Sequence, residues 1–189
     1  MLFSPDRYVE ALQFAARRHE GQVVPGSGLP YLVHVVSVAA ETIAAIEVDR
    51  ALLDDPDLAV LCALLHDTVE DTADTAEARA ELVAELARRF DHGVAAGVLA
   101  LSKDDRLPKP ERTADSLRRI RAQPREVWMV KLADRVTNLA PPPAAWPREK
   151  RIAYRDEALV IADALGDASP MLHARLRARI QGYARHFGS

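Results

Sequence analysis

Four ionisable side chains close an otherwise apolar stretch. Leu61-Cys-Ala-Leu-Leu-His-Asp-Thr-Val-Glu-Asp71 ends in His66, Asp67, Glu70 and Asp71. Three carboxylates at the exit of a buried helix are costly. They lose hydration, repel one another and face the negative end of the helix macrodipole. A bound divalent cation reverses the electrostatic sign and makes the arrangement favourable. At about 100° per residue, His66 and Glu70 share one ridge of a continuous helix, and Asp67 and Asp71 share the next. His66 and Asp67 can then ligate a metal while Glu70 and Asp71 reach a water bound to it. That is the layout of a metal-dependent hydrolase centre.

A divalent ion needs further protein ligands. His34 lies in Pro30-Tyr-Leu-Val-His-Val-Val-Ser-Val-Ala39, an apolar helix in which it is the one strongly polar side chain. Taken alone it reads as a satisfied core histidine. Asp134 falls at i+4 from Val130 and i+7 from Val127, on a core-facing stripe where a carboxylate is almost never left unpaired. It either pairs with an arginine or holds a cation. Taken together, three separate helices each send a metal-competent residue inward, which is how helical bundles build metal sites. Two imidazoles and two carboxylates suit Mn²⁺ or Fe²⁺, permit Zn²⁺ or Co²⁺, and argue against Ca²⁺.

The elements that must position these residues are also legible. Leu58 to Leu65 are eight consecutive apolar residues, so their helix has no solvent face and belongs at the centre of its domain. Ser4-Pro5, Asp55-Pro56, Gln123-Pro124, Trp146-Pro147 and Ser169-Pro170 each offer proline at a first helical position. Asp74-x-x-Glu77 can open a helix through Phe90. Apolar residues recur every three to four positions and strand alternation is absent. The spacing predicts an all-α, single-domain bundle over 1–189, with roughly eight or nine helices. Three irregular segments interrupt it: the Gly- and Pro-rich 21–30, the charged 103–110 and the Pro-rich 140–147.

Composition narrows the class. Apolar residues make up 49% and charged residues 28%, and the net charge of −3 gives no basic field for nucleic acid. Cys62 is the single cysteine and sits inside the apolar run, which fits a reducing compartment and a core role. The N-terminal residues do not read as a signal peptide, and the longest apolar run falls short of the ~20 residues that span a bilayer. The expectation is a cytoplasmic protein with no membrane partner. Apolar helix faces would serve a homodimer seam as well as a core.

The longer motifs carry a resemblance. His34, His66-Asp67 and Asp134 resemble the metal quartet of the HD superfamily of phosphohydrolases. His19-Glu-Gly-Gln22, Pro30-Tyr-Leu-Val-His34, Leu64-Leu-His-Asp-Thr-Val-Glu-Asp-Thr72 and Lys131-Leu-Ala-Asp-Arg-Val-Thr-Asn138 occur in order. Together they are similar to the hydrolase domain of RelA/SpoT enzymes, and especially to stand-alone small alarmone hydrolases of the metazoan SpoT-homologue type. Ser102 to Arg112 resembles a loop of those enzymes, and the similarity runs over roughly 5–166, leaving 167–189 as a C-terminal helical extension.

The resemblance implies a Mn²⁺-dependent 3′-pyrophosphohydrolase that converts ppGpp or pppGpp to GDP or GTP and pyrophosphate. Carried over by position, His34, His66, Asp67 and Asp134 hold the metal while Glu70 and Asp71 activate water. Asn138 contacts the nucleotide sugar, Arg135 supports the phosphates or the metal site, and Tyr154 lies in the nucleotide pocket. Lys103 and Arg112 are candidates for pyrophosphate contacts, with solvated surface charge as the plainer reading. Val23-Val24 stands where the family usually carries an Arg-Lys pair, so the base pocket departs from the family pattern. Two alternatives therefore stay open: the same chemistry on another phosphorylated nucleotide such as NADPH, and a catalytically silent nucleotide-binding module.

Overall fold

The centre of the protein is a ten-residue helix with no exposed side. In the computed structural model, which describes residues 3–187, helix α3 (Pro56–Leu65) opens with Pro56 in its first turn. The Asp55 carboxylate accepts from the amides of Asp57 and Leu58 at 3.1 and 3.2 Å, satisfying donors the helix start leaves free. Every residue from Leu58 to Leu65 is buried. Each fully buried leucine among them contributes about 1.5–3 kcal/mol.

The other helices wrap this one. Helices α1 (Pro5–Arg18), α2 (Leu32–Asp49) and α8 (Arg125–Asn138) pack directly against α3. Helix α4 (Thr68–Thr72) is a single short segment leading to α5 (Ala76–Arg89), which pairs with α6 (His92–Leu101). Helix α6 crosses α3 and α8 at Gly97, where an added Cβ would lie 2.7 Å from Cys62 Sγ and 2.9 Å from Val127 Cγ2. Helices α7 (Lys109–Arg121), α9 (Arg148–Leu165) and α10 (Pro170–Tyr183) complete the bundle, with α10 seated on α8, α9 and α2. Nine helices of ten residues or more, plus α4, account for the α segments among the described residues, and no strand occurs there. The all-α expectation holds. An isolated antiparallel bridge, Val23 to Pro30, ties the loop between α1 and α2.

Helix starts follow the sequence signals with two adjustments. Pro5, Pro56 and Pro170 sit inside the first turn, whereas Pro124 and Pro147 stand one residue outside as caps. The cap of α5 is Thr75, whose hydroxyl accepts from Ala78 N at 3.1 Å, rather than Asp74. Helix α8 buries four charged residues, Glu126, Lys131, Asp134 and Arg135, and each has a partner. Glu126 Oε1 accepts from the amides of Asp54 and Asp55 at 2.7 and 2.8 Å, pinning the turn that opens α3. The other three face the site.

Candidate metal centre

The continuous helix expected across 61–71 is broken at its chemically richest point. Helix α3 stops at Leu65 and α4 begins at Thr68. The cause is local. His66 Nδ1 bonds Ala63 O at 2.9 Å and the Thr68 hydroxyl donates to Leu65 O at 2.7 Å, so side chains take carbonyls that helix amides would otherwise use. The shared-ridge reading is corrected for His66 with Glu70, which the break separates, whereas Asp67 caps α4 and keeps the helical bond to Asp71, whose amide donates to Asp67 O at 2.9 Å. The break serves the site. A carbonyl can only accept, so His66 Nδ1 is a donor, and the bond turns Nε2 toward the centre.

Four side chains converge there. His34 comes from the first turn of α2, His66 and Asp67 from the break, and Asp134 from α8. The two imidazole Nε2 atoms lie 3.3 Å apart. Asp67 Oδ2 stands 3.4 Å from His34 Nε2 and 2.8 Å from His66 Nε2. Asp134 Oδ1 stands 3.5 and 3.9 Å from the same two nitrogens. Bonds of about 2.0–2.2 Å to one ion require neighbouring donors roughly 3–3.5 Å apart; three of these separations fall in that range, with His66–Asp67 shorter and His66–Asp134 longer. His34, His66 and Asp134 are all buried and offer ligand atoms within 4.8 Å of one another. The donor set fits a divalent cation.

The electrostatics agree. Burial disfavours a charged His34 ring, yet hydrogen bonds to Asp134 and Asp67 outweigh it and raise its pKa to about 10. Burial likewise opposes ionisation of Asp134, but Lys131 and the two imidazoles hold it well below the usual carboxylate range, and His66 and His34 do the same for Asp67. The cluster is a place that holds positive charge. Asp134 is fixed by Lys131 Nζ at 3.0 Å on Oδ2 and by the Asn138 amide on Oδ1.

Glu70 and Asp71 sit at the edge on α4. Glu70 Oε2 accepts from Lys103 N at 2.7 Å, and burial pushes its carboxyl up despite Lys131 and Lys103. Asp71 is pushed up by desolvation and by the Asp67 charge, and its Oδ2 accepts from Gln22 Nε2 at 2.8 Å. Two hollows flank the cluster. One of about 280 Å³ reaches His34 and is lined by Val24, Asn138, Pro141 to Pro143, Trp146 and Tyr154. The larger, about 850 Å³, is an alanine-rich groove between α5 and α6 that ends on Glu70.

The remaining sequence candidates divide. Asn138 and Tyr154 line the smaller hollow. Arg135 lies behind it, 4.7 Å from the Tyr154 ring centroid and 2.6 Å from Glu157 Oε1. Lys103 Nζ is 3.4 Å from the same Glu157 oxygen. Arg112, on the first turn of α7, is bound to the loop before that helix by Leu107 O at 2.9 Å and Asp105 Oδ1 at 2.5 Å. Four contributors carried no role in the sequence reading: Lys131, Tyr31, Gln22 and Glu157. The i,i+3 spacing of Lys131 and Asp134 was a usable signal; nothing in the sequence marks Glu157.

Comparison with known proteins places this geometry. The chain is 29% identical to the Drosophila melanogaster guanosine-3′,5′-bis(diphosphate) 3′-pyrophosphohydrolase MESH1 over 175 residues, 90% of each protein. It is 30% identical to the Danio rerio protein of that name over 174 residues, 89% of each. A Myxococcus xanthus GTP pyrophosphokinase is 36% identical over 137 residues, which are 69% of this chain but 16% of that protein. A solved metazoan orthologue of SpoT, described as hydrolysing ppGpp and acting in starvation responses, superposes with a TM-score of 0.76 at 26% identity, covering 98% of both chains. The model of the HD domain matches residues 11–167, a span that takes in all four side chains of the cluster and Glu70 and Asp71 at its edge. On that match the chain belongs to the HD-domain family.

Proposed function

We propose that this protein is a single-domain, metal-dependent 3′-pyrophosphohydrolase of guanosine 3′,5′-bis(diphosphate), with Mn²⁺ as the working ion. The observation that carries the reading is the meeting of His34, His66, Asp67 and Asp134 from separate elements, with Glu70 and Asp71 at the rim. Relatives of matching length bear the name of that activity. The cytoplasm is the compartment we propose, and among the described residues no helix is long and apolar enough to cross a membrane.

His34, His66, Asp67 and Asp134 would hold a divalent cation, which would supply Lewis acidity to acidify water and polarise a phosphoryl oxygen. The chain supplies the rest. Lys131 and Asn138 hold Asp134 in place, and the Ala63 carbonyl fixes the His66 tautomer. Glu70, its carboxyl raised by burial, accepts a proton from the attacking water, and Asp71 orients that water. The O3′–phosphorus bond breaks, the hydroxyl joins the departing pyrophosphate, and the proton passes to the 3′ oxygen. The nucleoside occupies the smaller hollow against Tyr154, which Arg135 backs from behind. With its amide nitrogen given to Asp134, Asn138 keeps Oδ1 free to accept from a sugar hydroxyl.

Incubation of Mn²⁺-loaded protein with ppGpp, pppGpp, NADPH and deoxynucleotides tests this. Pyrophosphate and GDP from ppGpp are expected. Inorganic phosphate from NADPH with ppGpp untouched would replace the substrate, and inertness toward the whole panel would remove the enzyme.

A further inference from the structure

The His19-Glu-Gly-Gln22 motif sits outside the cluster and has no task in the mechanism above. Its geometry gives it one. Gly21 has φ of 77°, a left-handed conformation that lets the chain double back as α1 ends. Gln22 is then fixed through its backbone on both sides: its amide donates to His19 O at 3.0 Å, and its carbonyl accepts from Tyr31 N at 2.9 Å. Its side chain reaches across to α4, where Nε2 lies 2.8 Å from Asp71 Oδ2, while its Oε1 lies 2.7 Å from His19 Nδ1.

Chemistry fixes the direction of this chain of bonds. A carboxylate only accepts, so the Gln22 amide nitrogen must face Asp71. Its oxygen therefore faces His19, and Nδ1 of that ring must carry the proton. His19 is 4% exposed, and its Nε2 has no partner, so no second hydrogen bond competes to set the tautomer. Its ring also packs on Tyr31, at 4.9 Å between centroids, and the Tyr31 hydroxyl donates to Asp67 Oδ2 at 2.6 Å.

We propose that His19 and Gln22 are positioning residues for Asp71: His19 Nδ1–H locks the Gln22 amide, which holds Asp71 Oδ2 and leaves Oδ1 aimed at the reacting water. The role rests on the function proposed above. Asp71 is exposed on a five-residue helix. Without the Gln22 amide its carboxylate would lose a 2.8 Å anchor on Oδ2, and the water it orients would lose its alignment.

Two measurements test it. The first is on metal-free protein, where the ¹⁵N shifts of the neutral His19 ring should show the Nδ1–H tautomer. Gln22→Ala should erase that preference. The second is kinetic. Gln22→Ala should lower kcat by roughly 10- to 100-fold, part of the ~10²–10⁴-fold worth of general-base help, with KM within about threefold and Mn²⁺ affinity unchanged. His19→Phe should match it, His19→Asn should recover most of the loss by restoring a donor, and the double variant should be no slower than Gln22→Ala. An Nε2–H tautomer, multiplying losses, or a loss confined to Mn²⁺ affinity or KM overturns the proposal. Wild-type kcat in Gln22→Ala sinks this role alone, whereas a wild-type protein inert on every nucleotide sinks the proposed function and the role with it.

Discussion

At the scale of single residues, the proposed centre divides groups that would hold the cation from groups that would move the proton. Asp67 faces both imidazoles, and removing it leaves them without their nearest carboxylate. Asp67→Ala should abolish both metal uptake and turnover, read by calorimetric titration with Mn²⁺ and by pyrophosphate release. Glu70 is not among the ligand atoms that face the imidazoles; its Oε2 is engaged by the Lys103 amide. Glu70→Ala should therefore keep the metal and slow catalysis by about 10²–10⁴-fold, the range general-base assistance supplies. Wild-type turnover in that variant would take Glu70 out of the mechanism. Tyr31 belongs with the first kind, since its hydroxyl tethers Asp67 and burial with three nearby carboxylates pushes its own ionisation far up.

At the scale of elements, the site depends on where helices cross and stop. Gly97 permits α6 to lie against α3 and α8, and a methyl there would meet Cys62 Sγ and Val127. Gly97→Ala should cost about 1–3 kcal/mol of overpacking, offset in part by about 1 kcal/mol of better helix propensity. Chemical denaturation measures the net loss, and adding Cys62→Ala should return part of it. Glu126→Ala would strand the amides of Asp54 and Asp55 at the head of α3, for about 1–3 kcal/mol by the same assay. A stability unchanged by the second substitution would show that water replaces the carboxylate. The apolar run of α3 and the convergence of His34, His66, Asp67 and Asp134 were legible because burial and periodicity act over short spans. The break at His66 was not, because side-chain bonds to Ala63 and Leu65 carbonyls compete with a helix that local propensity favours equally. Glu157 stayed invisible for a different reason: its meaning lies in Arg135 and Lys103, which reach it only through the packing of α9.

At the scale of the whole molecule, the cluster couples folding to protons and to metal in opposite directions. In the metal-free protein, carboxylates outweigh burial and raise His34 from 6.5 to about 10. A raised pKa stabilises the fold fully below about pH 6.5, and that contribution drains away as pH climbs toward about 10. Ligation needs neutral rings, so metal binding strengthens over the same interval. Thermal melts from about pH 6.5 to about pH 9 should show falling stability without Mn²⁺ and a widening gap to the Mn²⁺-loaded protein. A gap that narrows with pH would contradict the cluster as a cation site. Beside the smaller hollow, the loop before α2 meets the Pro-rich loop after α8. Gly26 (φ 81°) lies so close to Pro143 that a Cβ there would stand 3.0 Å from its ring. The two rim loops touch with nothing between them, and both lie outside the helices that carry the quartet. Any side chain at position 26 would strain its left-handed backbone and press on Pro143, so drift at that position would disturb this rim by tenths of an ångström while leaving the quartet's helices as they are.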